Sequence, residues 1–203
     1  MQRFVGPLLA FFLVAGCRPS GGGAGGGNPK VPAGAKSSGG RHAVIETDKG
    51  AIEIEFFTAE SAKAVENFRL LAEHGYYDGL TFHRIAKSFM IQGGDPAGDG
   101  TGGESAWGGK FPDEINTGTD LYRAGYKRGI VAMANAGRDT NGSQFFILHQ
   151  DYPLPPAYVI FGRVTKGMEV VDALAETPTR RGLDGDMTQP LTPQTMRKVT
   201  IRP

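Results

Sequence analysis

Cysteine is almost missing from this 203-residue chain, and the one present, Cys17, precedes the part with globular composition. A disulfide framework and thiol chemistry are thereby excluded from the body, which must fold on its apolar core. Charge excess is missing too: 22 Lys and Arg stand against 21 Asp and Glu, a formal net charge of +1. Nothing in that balance points to nucleic acid or an acidic surface as partner. No hydrophobic run reaches the roughly 20 residues that a bilayer span takes. The run Gly6 to Ala15 stops at about half that length. What is plentiful is glycine, 31 residues, several of them packed into Gly21-Gly22-Gly23-Ala24-Gly25-Gly26-Gly27.

These features divide the chain into three segments. Residues 1–16 read as a signal peptide, with Arg3 as a positive start followed by the short apolar run. The run ends in Leu13-Val14-Ala15-Gly16-Cys17, which resembles a bacterial lipobox. That resemblance implies that Cys17 becomes a lipidated N-terminus, holding the protein on the extracytoplasmic side of a bacterial membrane by burial of acyl chains. Residues 17–41 carry Gly, Ser, Ala and Pro with almost no apolar bulk, so they read as a flexible tether with a span of roughly 25–30 Å. Residues 42–203 are the globular domain.

The domain opens with alternation. Ala43-Val44-Ile45-Glu46-Thr47 and Ala51-Ile52-Glu53-Ile54-Glu55-Phe56 flank Asp48-Lys49-Gly50, a hairpin pattern. From Ala59 the period changes, and Val65, Phe68, Leu71 and Ala72 share one helical face, with Gly75 as the stop. Short strands are predicted at Thr81–Ile85, Met90–Gln92, Ile130–Ala134, Gln144–Leu148 and Val159–Val164. A second short helix fits Met168–Ala175, and Arg197–Arg202 reads as a last strand. Thr177–Gln194 reads as a surface loop. Many short strands with two helices suggest a closed antiparallel barrel capped by helices, a pattern that several kinds of β-barrel share.

Longer blocks narrow the choice. Phe82-His83-Arg84-Ile85 with Phe89-Met90-Ile91-Gln92-Gly93-Gly94-Asp95, then Gly129 to Gly137, Thr140 to Ile147 and Phe161-Gly162-Arg163-Val164, resemble the cyclophilin signature in order. The resemblance covers about residues 43 to 202. It implies a mainly β fold, a closed eight-stranded antiparallel barrel capped by two α-helices. It also implies peptidyl-prolyl cis-trans isomerase activity without cofactor or metal, with a proline-peptide binding module of little turnover as the alternative. Proline-containing flexible polypeptides are the implied partners, met by a monomer. By the same resemblance Arg84, Gln144 and Phe146 are catalytic. Phe89, Met90, Gln92, Ala134, Asn135, Leu154 and Tyr158 are substrate-binding, Gln92 and Gln144 forming a polar wall. Ala134 and Asn135 would align the peptide through main-chain hydrogen bonds. His83, next to Arg84 on a predicted strand, faces the other way and is structural.

Two positions depart from the family pattern. Pro153 stands where a Trp commonly precedes the pocket leucine, so only weak cyclosporin binding is expected. Tyr158 replaces a frequent His and keeps an aromatic wall. Other signals lead nowhere. Gly98-x-Gly100-x-x-Gly103 fits a dinucleotide fingerprint literally but lacks the preceding strand and following helix. Asp95 and Asp99 lack the spacing of a calcium loop, and the four His residues lack metal spacing.

Overall fold

The computed structural model describes residues 29–203. The expected signal peptide, Cys17 and the glycine tract lie outside the described residues. The expected tether is covered only from residue 29, and its end is held by the domain. Ser37 donates its N–H and hydroxyl to Glu66, and Ser38 donates to Glu73, both on the first helix. Val31 and Ala35 pack against the core.

Strands β1 (His42–Thr47) and β2 (Gly50–Phe56) form the predicted hairpin, with Thr47 paired to Gly50 across Asp48-Lys49. Gly50 has φ 129°, a value that favours glycine at this turn. Helix α1 (Ala62–Glu73) follows. Its apolar stripe carries Phe68 into a cluster of rings, 4.9 Å from Tyr77, 5.3 Å from Phe145 and 5.4 Å from Phe161 between centroids. The first-turn N–H groups of Lys63 and Ala64 are capped by Glu114, at 2.9 and 2.8 Å.

The next elements are β3 (Arg84–Ala86), β4 (Met90–Gly93), α2 (Asp120–Ala124), β5 (Ile130–Met133), β6 (Phe145–Leu148) and β7 (Ile160–Lys166). They are followed by α3 (Met168–Ala175), β8 (Thr179–Arg181), β9 (Met187–Pro190) and β10 (Met196–Arg202). Eight strands form one antiparallel sheet in the order β10-β1-β2-β7-β5-β6-β4-β3.

Three expectations need correction. The sheet curls but does not close into a barrel, because β3 and β10 remain its two edges. Strand β3 has only three residues, too few to run beside β10. The gap is bridged by flanking segments instead, with Phe82 N–H on the Gln194 carbonyl and Met196 N–H on the Leu80 carbonyl, both at 2.8 Å. The strand expected over Thr81–Ile85 therefore starts only at Arg84. Next, the described residues hold a third short helix, α2, besides the expected pair. Finally, Thr177–Gln194 is not a plain loop. It contains the β8–β9 hairpin, whose β9 packs against β3.

Candidate active site

Four strands set the geometry. Arg84 pairs with Gln92, Gln92 with Phe146, and Phe146 with Ala132, one row across β3, β4, β6 and β5. Directly opposed residues present their side chains to the same face of a sheet. The alternate row, Ile85, Ile91, Ile147 and Val131, faces the main core and is at most 1% exposed. The site is therefore built on the second face of the core strands. A separate small apolar cluster covers part of that face: Met90, Phe146, Leu148 and Ile160, with Phe89, Ala134, Leu154 and Tyr158 packed on them.

A line of polar groups runs along the edge of this cluster. Arg84 Nη1 lies 3.5 Å from Gln92 Oε1 and 3.7 Å from Met90 Sδ. Gln92 Nε2 donates to Gln144 Oε1 at 2.9 Å. Gln144 Nε2 donates to the carbonyls of Gly100 and Gly102 at 3.0 and 2.8 Å. Two carbonyls at the far end fix which way the Gln144 amide points, and that in turn fixes Gln92 with its oxygen toward the guanidinium. The loop that mimicked a dinucleotide fingerprint is thus the strap that orients the polar wall. Gly103 is needed there because a Cβ would lie 2.3 Å from Ser143 Oγ. Asn67, buried on α1, holds the neighbouring loops, donating to the Gly142 carbonyl at 2.9 Å and accepting from Ala106 N–H at 2.8 Å.

The apolar side is also braced. The Arg84 guanidinium lies 5.9 Å from the Phe89 ring centroid. Phe146 meets Tyr158 edge to face at 5.4 Å. Tyr126, its hydroxyl pushed up to about 12 by burial, stays protonated and donates to the Tyr158 carbonyl at 2.8 Å. The Tyr158 N–H returns a bond to the same hydroxyl at 3.1 Å. Tyr152 packs on Phe89 with centroids 4.2 Å apart and the rings tilted by 33°, so an aromatic ring reaches this rim from the residue before Pro153. A recess of about 280 Å³ opens beside it, lined by Tyr126, Tyr152, Pro153 and Leu154 among others. It borders the cluster but includes none of Arg84, Gln92 or Gln144.

The residues expected from the sequence thus converge, with two refinements. The Ala134 N–H is already given to the Gln144 carbonyl at 3.0 Å, so it is not offered to a peptide. The Asn135 side chain donates to the Ala157 carbonyl at 2.8 Å and ties that edge to the loop carrying Tyr158. His83 is buried, with its ring beside Gly100. Burial pushes its imidazole below the usual histidine range, with Asp95 partly opposing, so it is neutral at pH 7. Sequence reasoning missed Asp184, Tyr126 and Tyr152. Asp184 accepts from Arg84 Nε at 2.7 Å across 100 residues of chain.

The profile of the cyclophilin-type peptidyl-prolyl cis-trans isomerases matches residues 42–201. The chain belongs to the cyclophilin family. This cyclophilin is 47% identical over 158 residues to a peptidyl-prolyl cis-trans isomerase of Arabidopsis thaliana, covering 77% of this chain and 93% of the relative. It is 50% identical over 136 residues to the peptidyl-prolyl cis-trans isomerase-like 1 of Neurospora crassa, covering 66% of this chain and 81% of that one. A mouse protein named for an isomerase domain and WD repeats is 52% identical over 134 residues, or 66% of this chain, but only 20% of that protein's length is spanned. A Cryptosporidium parvum cyclophilin solved in the presence of the dipeptide Ala-Pro superposes with a TM-score of 0.72 at 37% identity, covering 80% of this chain and 99% of that one. This cyclophilin is accordingly a peptidyl-prolyl cis-trans isomerase by family and by the names of its relatives.

Proposed function

We propose that the chain catalyses X–Pro rotation without any covalent step, with Arg84 as the group that stabilises the twisted amide. The peptide C–N bond resists rotation with a barrier of about 18–20 kcal/mol. Turnover near 10 s⁻¹ from a spontaneous rate near 0.01 s⁻¹ takes about 4 kcal/mol off that barrier. Twisting removes conjugation and returns a lone pair to nitrogen. A donor aimed at that lone pair binds the twisted state better than either planar one, which is what acceleration requires. The observation that carries this reading is the position of the Arg84 Nη1 edge, where the polar wall meets the apolar cluster. The proline ring would rest on Phe146, Met90, Phe89 and Leu154. Gln92 keeps one amide N–H for the substrate carbonyl, and Gln144, spent at both ends of its amide, holds Gln92 in place. The Asn135 main chain would align the peptide backbone.

The test is the relaxation of an Ala-Pro peptide with the full chain and with Arg84→Ala. A fall of about 10²-fold or more is expected, in line with loss of one donor to a transition state. Equal rates would overturn the role of Arg84.

The same reading includes a location. The sequence Leu13-Val14-Ala15-Gly16-Cys17 behind a short apolar run supports an isomerase anchored by lipid to a bacterial membrane, serving exported polypeptides. Mass spectrometry of the mature N-terminus decides it: diacylated or triacylated Cys17 is the expected species, and an unmodified Met1 overturns it. Pro153 in place of an aromatic supports weak cyclosporin binding.

A further inference from the structure

The β8–β9 hairpin is built around one carboxylate. Its turn is closed by Gly182 N–H on the Asp186 carbonyl at 2.7 Å and Gly185 N–H on the Gly182 carbonyl at 3.1 Å. Inside that turn Asp184 folds back. The buried Thr188 hydroxyl lies 2.8 and 2.7 Å from its two oxygens, and Asp186 N–H donates to Oδ1 at 3.1 Å. A Cβ on Gly182 would sit 2.9 Å from both Asp184 Oδ1 and Thr188 Oγ1, so only glycine leaves the carboxylate this room. Oδ2 is then directed at Arg84 Nε, with side-chain exposures of 18% and 22% for the pair. Burial pushes the Asp184 carboxyl up, but the bonds from Arg84, Thr188 and Asp186 outweigh it and hold it below the usual carboxylate range. It is ionised at neutral pH.

We propose that Asp184 is a positioning residue for isomerisation, holding the Nε edge of Arg84 so that the Nη edge faces the peptide. This rests on the reading of Arg84 as the donor. An unrestrained arginine side chain samples many rotamers, and ordering it during the reaction would cost up to about 2 kcal/mol. A carboxylate preset by its own hairpin removes that cost from the catalytic step. The chain then runs from Asp184 through Arg84, Gln92 and Gln144 to the Gly100–Gly102 strap, and the guanidinium is gripped from two sides.

The experiment is a double-mutant cycle on the full chain with an Ala-Pro peptide, reading kcat and KM separately. Asp184→Ala is expected to lower kcat about tenfold, with KM within about twofold. The near-isosteric Asp184→Asn keeps an acceptor for Nε and should lose less than Asp184→Ala. In an Arg84→Ala background, Asp184→Ala should change nothing further, because it acts only through that arginine. An effect on KM alone, or an additive loss in the Arg84→Ala background, would mean that the hairpin merely supports the fold, and the proposal falls. Wild-type kcat in both Asp184 variants beside an impaired Arg84→Ala would sink the positioning role and leave the Arg84 reading intact. An unimpaired Arg84→Ala would sink the reading itself.

Discussion

Neighbouring residues on the same strands of this cyclophilin live under different rules. Ile91 and Gln92 are consecutive on β4, yet Ile91 is fully buried in the main core while Gln92 stands in the polar wall beside Arg84. The inner face is selected for volume and apolar surface, because burial there holds the curled sheet together. On the proposed mechanism the outer face answers to direction instead, because a hydrogen bond to a twisting amide works only if aimed. The two demands share one backbone, and the site inherits its rigidity from strands that the core already fixes.

The pair Ile91→Ala and Gln92→Ala breaks this comparison most directly. Ile91→Ala should cost about 2–5 kcal/mol of unfolding free energy, since it leaves a cavity in a packed core. The surviving folded protein should keep its kcat/KM. Gln92→Ala should leave the urea midpoint nearly unchanged and lower kcat/KM about tenfold, the worth of roughly one hydrogen bond. Urea unfolding and peptide kinetics on both variants check the crossover. If Gln92→Ala destabilises as much as Ile91→Ala, the two faces are not separate systems.

A smaller effect is expected at the rim. Tyr152 is 42% exposed and packs at a tilt on Phe89, so on the proposed function its ring would support one wall of the proline pocket without belonging to the core. Tyr152→Ala should raise KM about threefold, the value of one aromatic pair, with little change in kcat. Michaelis kinetics distinguish this from a change in the Arg84 donor, which would appear in kcat.

The inner face was the more legible of the two. Alternation in β1 and β2 and the Val65-Phe68-Leu71-Ala72 stripe reveal buried positions because burial imposes a period on the sequence. Arg84, Gln92 and Phe146 stand out in the sequence only through resemblance, since nothing local separates an arginine proposed as catalytic from a solvated one. The barrel's open edges escaped notice because they depend on β3 being three residues long, a boundary that pattern does not resolve. Helix α2 is a five-residue element, too short to show a period. Asp184 was invisible for a different reason. Its partner is 100 residues away, and its turn of Gly, Leu and Asp looks like any surface loop until Thr188 and Arg84 are seen on its two sides.

His83 supplies the finest test, because it adjoins Arg84 in the chain but belongs to the buried side. Its imidazole pKa is lowered chiefly by burial, whereas in the unfolded chain it should lie near the ordinary value of about 6.5. Between that value and the lower folded one, the unfolded chain binds more protons than the folded chain. Stability is therefore complete above about pH 6.5 and is lost as pH falls toward the folded value. His83→Gln cannot titrate, so its urea-unfolding free energy should fall less than that of the wild type between about pH 7 and pH 5. Its kcat/KM at pH 7 should match the wild type, because a buried neutral ring moves no proton in a bond rotation. Parallel stability curves for the two proteins would show that His83 is not held neutral by burial. A large loss of turnover at pH 7 with stability unchanged would place it on the catalytic face after all.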